Sequence, residues 1–191
     1  MSVSLDEINC VMQHSECLLD EAGAELMFDA LAAQISATCQ QQDPIFLCVM
    51  TGAVVALGKL LPKLAFPLQI DYIHATRYQG KLVGEDLAWK QWPTISLLNR
   101  TVVIVDDVLD EGITMAQLKN YCMKQGAERC YTVVLVDKAI NKEKPIKADF
   151  VGYQAADEYL FGLGMDYKGY LRNANGLYAC PSNLEELLCQ Y

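Results

Sequence analysis

The sequence predicts an α/β fold in which a mainly parallel sheet carries helices on both faces. Apolar runs rich in β-branched residues alternate with stretches of helical periodicity, which is typical of parallel strands joined by crossover helices. Hydrophobic residues make up 52% of the 191 residues and charged residues 20%, as in a globular protein. A chain of this length suffices for one good-sized core, so residues 1–191 are expected to form a single domain.

The first half of the chain predicts a helical preface followed by a strand, a helix and a second strand. Apolar residues recur at helical spacing through residues 5–41. The apolar run 45–50 predicts a buried strand, and it gives way to helical periodicity over residues 53–64. Residues 68–74 alternate like a strand, whereas residues 76–93 have no clean period and indicate a long loop or a hairpin.

The second half continues this alternation of strands and helices. The run 101–105 predicts a strand that ends at two aspartates, and a helix follows over about residues 115–125, where Gly126 stops it. Residues 131–136 form another buried run. Two shorter and weaker strands are predicted at 149–153 and 160–163.

Charge and composition exclude several classes of function. The net charge is −9 and the 15 basic residues are scattered, which argues against binding to nucleic acid. No apolar run approaches the roughly 20 residues of a membrane span, and the first residues lack the pattern of a secretory signal. The eight cysteines include no C-x-x-C pair and indicate reduced thiols, so we expect a cytoplasmic protein without membrane contact.

One loop after a predicted strand carries groups that can hold a phosphate. In VVIVDDVLDEGIT, residues 102–114, a glycine turn lies between a buried strand and a helix, at the edge of the sheet where ligands bind in such folds. The backbone N–H groups of residues 111–114, the Thr114 hydroxyl and the positive end of the helix form a socket for a phosphate monoester. Gly112 permits the close approach of the backbone.

Three aspartates in the same loop can serve a sugar and a reacting base. Asp106 and Asp107 can accept hydrogen bonds from two vicinal ribose hydroxyls, and Asp110 can face the bond being made. The alternative is that the pair are solvated acids at a strand end and that Asp110 is a turn residue or a helix cap. Because the apolar run, the pattern D-D-x-x-D-x-G-x-T and the helix form one continuous stretch, the functional interpretation is favoured.

The loop resembles the signature of type I phosphoribosyltransferases, and the similarity extends across nearly the whole chain. It is greatest to bacterial hypoxanthine-guanine phosphoribosyltransferases, in the segments CVMTGAVVALGKLL, DYIHATRY, VVIVDDVLDEGITM, VVLVDK, ADFVGY and FGLGMDYKGYLRN. The resemblance implies a Mg²⁺-dependent purine salvage enzyme that transfers the 5-phosphoribosyl group of phosphoribosyl pyrophosphate to hypoxanthine or guanine, giving IMP or GMP and pyrophosphate. It also implies a small base-binding hood, a mobile lid over about residues 76–92, and a homodimer or homotetramer.

The resemblance further implies roles for individual residues. The ribose hydroxyls would bind to Asp106 and Asp107, and Asp110 would be the catalytic residue that handles the proton near N7 of the purine. The residues that would bind the 5′-phosphate are Asp110, Glu111, Gly112, Ile113 and Thr114. Those that would bind pyrophosphate are Met50, Thr51, Gly52 and Arg172, and this family often has a non-proline cis peptide in the loop at Met50.

The same resemblance implies a base pocket, a metal ligand and a lid. Lys138 would donate to the 6-oxo group of the purine, Tyr159 would stack on its face, and Leu160 would offer backbone groups to its edge. Asp166 would hold Mg²⁺, largely through water. Arg77 and Tyr78 would lie near the start of the lid.

The chain departs from many relatives in the pyrophosphate loop, where Thr51 and Ala53 stand in place of a basic residue and a second glycine. Charge compensation there would rest more on the ion and on Arg172. A second hypothesis is a regulator that binds phosphoribosyl pyrophosphate without turnover, although no helix-turn-helix precedes the domain. A receiver-type phosphoacceptor domain is disfavoured, because its acidic pair would lie near the first strand. The preference between hypoxanthine and guanine, the use of xanthine, and the choice of dimer or tetramer stay open.

Overall fold

A computed structural model describes residues 3–77, 87–184 and 187, with backbone alone at 75–77 and 87–89. The helices of this described part are α1 (Leu5–His14), α2 (Glu21–Cys39), α3 (Ala53–Leu60) and α4 (Ile113–Lys124), with a short 3-10 turn at Leu61–Lys63. Its strands are β1 (Glu16–Leu19), β2 (Ile45–Val49), β3 (Gln69–Arg77), β4 (Leu87–Gln91), β5 (Thr101–Leu109), β6 (Arg129–Ala139), β7 (Phe150–Ala156), β8 (Leu160–Phe161) and β9 (Leu177–Ala179).

Six strands form the main sheet, in the order β4-β3-β2-β5-β6-β7. All neighbours are parallel except β3 and β4, which run antiparallel. The pairing of β2 with β5 ends at Cys48 and Val105, whereas β5 and β6 stay paired as far as Leu109 and Asp137. The end of β5 therefore extends beyond β2 and carries the aspartate pair with it.

Helices cover both faces of the main sheet. The crossovers β2-α3-β3 and β5-α4-β6 lead in opposite directions across the sheet, so right-handed connections place α3 and α4 on opposite faces. Helix α2 packs against α3 and β7, and one continuous core joins α2, α3 and α4 to the sheet. The predicted α/β fold with a mainly parallel sheet is confirmed.

A second, small sheet joins the two ends of the chain. It is antiparallel, in the order β1-β9-β8, and pairs Glu16 with Ala179 and Leu160 with Ala179. Residues 16–19 were predicted as part of a helical preface, and this prediction is wrong. The strand is four residues long and its two leucines fit a helical period, so its extended conformation depends on pairing with the distant strand β9.

The hairpin alternative for residues 76–93 is confirmed where the structure describes it, since His74 pairs with Gln91. The segment that follows β4 contacts the carboxylate of Asp71, a buried residue that is 7% exposed. The carboxylate accepts hydrogen bonds from the backbone N–H groups of Tyr72, Thr94 and Ile95 at 2.6–2.8 Å. These bonds anchor the end of the hairpin to β3.

Three further observations concern the described part of the chain. Five of its seven cysteines are buried, and all seven are free thiols. No helix there is long and apolar enough to cross a membrane. The predicted lid residue Tyr78 lies outside the described residues, and Arg77 is the last residue of β3.

Candidate active site

The loop between β5 and α4 lies at the carboxyl edge of the main sheet, as predicted. Gly112 precedes the first residue of α4 and has a φ of +76°, a conformation that glycine adopts without strain. A Cβ atom there would also meet Ile146 at 3.3 Å. The first N–H groups of α4 have no acceptor within the helix, so they are available to an anion at its positive end.

This loop borders an open cavity of about 370 Å³. The sequence-predicted residues that line it are Met50, Gly52, Asp106, Asp107, Asp110, Gly112, Thr114, Asp166 and Arg172. It is also lined by Val49, Val108, Leu109 and Met115, which sequence reasoning did not single out. The loop between β5 and α4 thus borders space that an anion can enter, and most of the predicted polar residues meet around this space.

The adjacent aspartates at the end of β5 are partly buried. Burial, and then the charge of Asp107, raises the pKa of Asp106 well above its usual range. Burial also raises the pKa of Asp107, although hydrogen bonds and the charge of Arg172 act in the opposite direction. Two desolvated carboxylates side by side are stabilised by hydroxyl donors, and the vicinal hydroxyls of a ribose supply such donors.

The loop after β2 brings its backbone against this acid pair. The peptide bond between Met50 and Thr51 is cis, as the resemblance implied. A Cβ atom at Gly52 would collide with the carboxylate of Asp107, and one at Gly164 would collide with the carbonyl oxygen of Gly52. Glycine at these two positions allows three segments of the chain to meet at the floor of the cavity.

The C-terminal wall of the cavity holds an ion pair. Arg172 Nη2 lies 2.5 Å from Asp166 Oδ1, and Arg172 Nη1 donates to the carbonyl oxygen of Gly164 at 2.6 Å. The other oxygen of Asp166 accepts a hydrogen bond from the N–H of Gly169 at 2.7 Å. Both side chains are about 30% exposed and line the cavity, so an anion and a cation can reach them.

A second cavity of about 160 Å³ adjoins the first and shares Asp107, Val108 and Asp166 with it. The other residues that line it are Lys138, Tyr159, Leu160 and Met165. Lys138 lies on β6, opposite Ala155 of β7, and Tyr159 precedes β8 of the small sheet. The three predicted base-binding residues therefore meet in one pocket beside the aspartate pair.

Apart from the two lid residues, the structure leaves three predicted site residues outside the walls of both cavities. Thr51 is exposed, and Ile113 is the first residue of α4. The carboxylate of Glu111 lies 3.2 Å from the ammonium group of Lys142, at the surface. The backbone groups of these residues can contact a ligand, but their side chains line neither cavity.

Sequence reasoning missed Lys144, which joins the ends of β5 and β6. Its Nζ atom donates to the carbonyl oxygens of Leu109 and Lys138 at 2.7 and 2.6 Å and to the Asp137 carboxylate at 2.6 Å. The side chain is 13% exposed. Nothing in the sequence distinguishes Lys144 from the neighbouring lysines Lys142 and Lys147, because its acceptors come together only when the two strands pair.

A helix N-terminus open to an anion, an acid pair and an adjoining pocket at the carboxyl edge of a parallel sheet are typical of α/β enzymes that bind phosphorylated ligands. The chain belongs to the phosphoribosyltransferases, because the family profile described as Phosphoribosyl transferase domain matches residues 14–168.

Named relatives agree with this family. The chain is 31% identical over 144 residues to the hypoxanthine-guanine-xanthine phosphoribosyltransferase of Tritrichomonas foetus, which covers 75% of this chain and 79% of that protein. It is 28% identical over 167 residues to the hypoxanthine-guanine phosphoribosyltransferase of Bacillus subtilis, covering 85% and 92% of the two chains. The solved structure of a hypoxanthine phosphoribosyltransferase from Staphylococcus aureus has the same fold, with a TM-score of 0.84 at 22% identity over 96% of this chain and 98% of that one.

Proposed function

We propose that the chain is a purine salvage enzyme that transfers the 5-phosphoribosyl group from phosphoribosyl pyrophosphate to hypoxanthine or guanine, giving IMP or GMP and pyrophosphate. The observation that carries this proposal is the junction of the two cavities at Asp107, Val108 and Asp166. A ribose held at the acid pair has the larger cavity on one side for its phosphates and the smaller pocket on the other for a purine. The names of the relatives from Tritrichomonas foetus and Bacillus subtilis support the same reaction.

The larger cavity holds the sugar substrate. The 5′-phosphate accepts hydrogen bonds from the N–H groups of residues 110–114 and from the Thr114 hydroxyl, at the positive end of α4. The ribose hydroxyls donate to Asp106 and Asp107. The departing pyrophosphate lies over Met50 to Gly52, near Arg172, whose guanidinium group supplies positive charge without a basic residue at Thr51.

The donor groups of this cavity suit Mg²⁺. The ion prefers oxygen ligands, keeps several waters and is commonly bound by one or two carboxylates together with substrate phosphates. Asp166 would hold it beside the pyrophosphate, and the carboxylates of Asp106 and Asp107 line the same cavity. When bound, the ion would neutralise charge on the departing pyrophosphate.

The smaller pocket binds the base. The ammonium group of Lys138 donates to the 6-oxo group, the ring of Tyr159 stacks on the purine, and Leu160 contacts its edge with backbone groups. An adenine in this position would set its 6-amino group against the ammonium group of Lys138. Such a mismatch costs about 1–3 kcal/mol, which favours 6-oxopurines over adenine.

The reaction is a displacement at the anomeric carbon of the ribose. The bond from this carbon to the pyrophosphate oxygen breaks and a bond to a purine nitrogen forms from the opposite face, while Asp110 accepts the proton near N7. No protein nucleophile is required. The chain contributes by aligning the partners, stabilising charge on the leaving group and excluding water, the last through a lid that we place at about residues 76–92.

An assay of pyrophosphate release tests the proposed function. The chain is mixed with phosphoribosyl pyrophosphate, Mg²⁺ and hypoxanthine, guanine, xanthine or adenine in turn. We expect turnover with the first two and little with adenine. The Asp110→Ala variant should lose about 10²-fold or more in kcat with its melting temperature retained, because it lacks the group that accepts the proton. Equal use of adenine contradicts the role of Lys138, and tight binding without turnover indicates a regulator.

We also propose that the enzyme works in the cytoplasm as a homodimer or homotetramer. Five buried free thiols suit a reducing compartment. The apolar side chains of Ile70 and Tyr72 on β3 are about half exposed, at 51% and 45%, which suits contact with a second copy. Light scattering of the purified chain measures the state directly, and a monomer at micromolar concentration contradicts this part of the proposal.

A further inference from the structure

Helix α1 ends at His14, the residue at which the match to the family profile begins. Ser4 caps the helix by accepting a hydrogen bond from the N–H of Glu7 at 3.1 Å. On its apolar face, Ile8 and Val11 are buried in a separate small core with Phe161 and Tyr167. Helix α1 is therefore packed onto the C-terminal segment that also carries Tyr159.

Glu7 connects this helix to a tight turn. Its Oε1 atom accepts hydrogen bonds from the Tyr167 hydroxyl and from the Lys168 ammonium group, both at 2.7 Å. The side chain of Glu7 is 17% exposed. The turn itself is closed by two hydrogen bonds between the backbones of Tyr167 and Tyr170, and Lys168 has a φ of +47° within it.

The same turn supports the wall of the small pocket. The ring of Tyr167 contacts the ring of Tyr159 edge-on, with 5.5 Å between centroids, and the N–H of Lys168 donates to the Tyr159 hydroxyl at 3.4 Å. Tyr159 is 51% exposed, so few surrounding groups restrict its ring. Contacts from Tyr167 and Lys168 thus have a large share in its orientation.

The ionisation state of Glu7 favours its two hydrogen bonds with Tyr167 and Lys168. The hydrogen bond from Lys168, followed by that from Tyr167, lowers the pKa of Glu7 below its usual range. Near neutral pH, Glu7 is therefore ionised and accepts both hydrogen bonds.

We propose that Glu7 is a positioning residue for the purine base, which holds Tyr159 in its stacking position through Tyr167 and Lys168. This inference rests on the proposed function, because it assumes that Tyr159 stacks on the base. Asp166 lies on the same turn, but it is held by Arg172 and by the N–H of Gly169. The loss of Glu7 should therefore affect the base more than the phosphoribosyl group.

The experiment compares ligands with and without a base. The proteins compared are the full chain, Glu7→Lys, Lys168→Glu and the double variant that carries both substitutions. Calorimetry gives the dissociation constants of IMP and of ribose 5-phosphate for each protein. Kinetic assays give the KM of hypoxanthine and of phosphoribosyl pyrophosphate. Asp6→Lys is the matched control, since it reverses an exposed charge in the same helical turn. Melting temperatures show whether each variant is folded, and Tyr167→Phe serves if a charge reversal prevents folding.

Each single charge reversal should raise the dissociation constant of IMP and the KM of hypoxanthine about five- to tenfold, because an attractive pair of charges becomes a repulsive one. The dissociation constant of ribose 5-phosphate and the KM of phosphoribosyl pyrophosphate should change less than about twofold. The double variant, in which Glu7 and Lys168 exchange charges, should restore IMP binding. Unchanged IMP binding in both single variants, an equal loss of ribose 5-phosphate, or failure of the exchange to restore binding contradicts the inference. If no base is turned over, the proposed function fails, and the difference between IMP and ribose 5-phosphate still decides the role of Glu7.

Discussion

The acid pair at the end of β5 illustrates a conflict between stability and function at the scale of single residues. Asp106 and Asp107 accept hydrogen bonds from the N–H groups of Asp107 and Val108, but their carboxylates remain desolvated and close to each other. Ionising both carboxyl groups is unfavourable in the free protein, and hydrogen bonds donated by two ribose hydroxyls would stabilise the ionised forms. The two residues that we propose to bind the sugar are therefore expected to destabilise the free fold.

Replacing Asp106 by Asn should stabilise the protein more as pH rises. In the unfolded chain Asp106 ionises near pH 4, whereas in the folded protein its pKa is higher, so the folded state binds more protons between these values. The stability that the protonated group retains at low pH is lost as pH rises through the folded pKa. Chemical unfolding should show almost no gain for Asp106→Asn near pH 4 and a growing gain toward about pH 8. A gain that is largest at low pH contradicts this explanation.

Lys144 is the second residue whose replacement is informative. Lys144→Met leaves the Asp137 carboxylate and the carbonyl oxygens of Leu109 and Lys138 without its ammonium group. We expect a loss of about 1–3 kcal/mol in the free energy of unfolding, measured in urea. We also expect a fall in kcat/KM, because Leu109 precedes Asp110 and Lys138 is the residue proposed to contact the base. Lys147→Met, at an exposed position, is the control. Equal effects of the two variants contradict the role of Lys144.

At the scale of elements, the two glycines of the segment around α3 have different functions. Gly52 precedes α3 and lies against the Asp107 carboxylate, whereas Gly58 lies inside the helix with no heavy atom within 4 Å of an added Cβ. Gly52→Ala should displace the Asp107 side chain and raise the dissociation constant of ribose 5-phosphate by about tenfold or more. Gly58→Ala should leave binding unchanged and stabilise the protein by about 0.5–1 kcal/mol. Calorimetry and thermal unfolding measure both, and intact ribose 5-phosphate binding in Gly52→Ala contradicts this view of the loop.

Local pattern predicted those elements that are long and regular. The buried strands β2, β5 and β6 and the helix α4 appear in the sequence as uninterrupted apolar runs and helical periods. Strand β5 was predicted to end at residue 105 and instead continues to Leu109, because β6 extends equally far and pairs with it. Strands β1 and β9 have four and three residues, and they are defined by pairing within the small sheet, where β9 lies between β1 and β8.

The candidate site was predictable where its chemistry lies in one segment. The loop from Asp106 to Thr114 carries its own signature, and the structure places most of it around one cavity. Roles for Lys138, Tyr159 and Asp166 were expected from the family resemblance alone. Contacts such as Glu7 with Lys168 or Lys144 with Leu109 join residues far apart in the chain and leave no local pattern.

At the scale of the whole molecule, the proposed reaction requires an acidic protein to bind a highly anionic substrate. The net charge of −9 opposes such a ligand at long range, but screening at physiological salt limits this effect to about 8 Å. Within the cleft, the N-terminus of α4 and the guanidinium group of Arg172 are positive groups available to an anion, and residues of both the main sheet and the small sheet line the adjoining pocket. Binding is therefore decided by local geometry rather than by total charge.

The most direct test of the central claim, that one cleft holds phosphate, ribose and base in line, is a crystal structure of the chain with IMP. We predict that the phosphate oxygens accept hydrogen bonds from the N–H groups of residues 110–114, that the ribose hydroxyls donate to Asp106 and Asp107, and that the 6-oxo group lies at hydrogen-bond distance from Lys138 Nζ. A phosphate bound away from this loop, or a purine outside the pocket formed by Lys138 and Tyr159, would contradict the account.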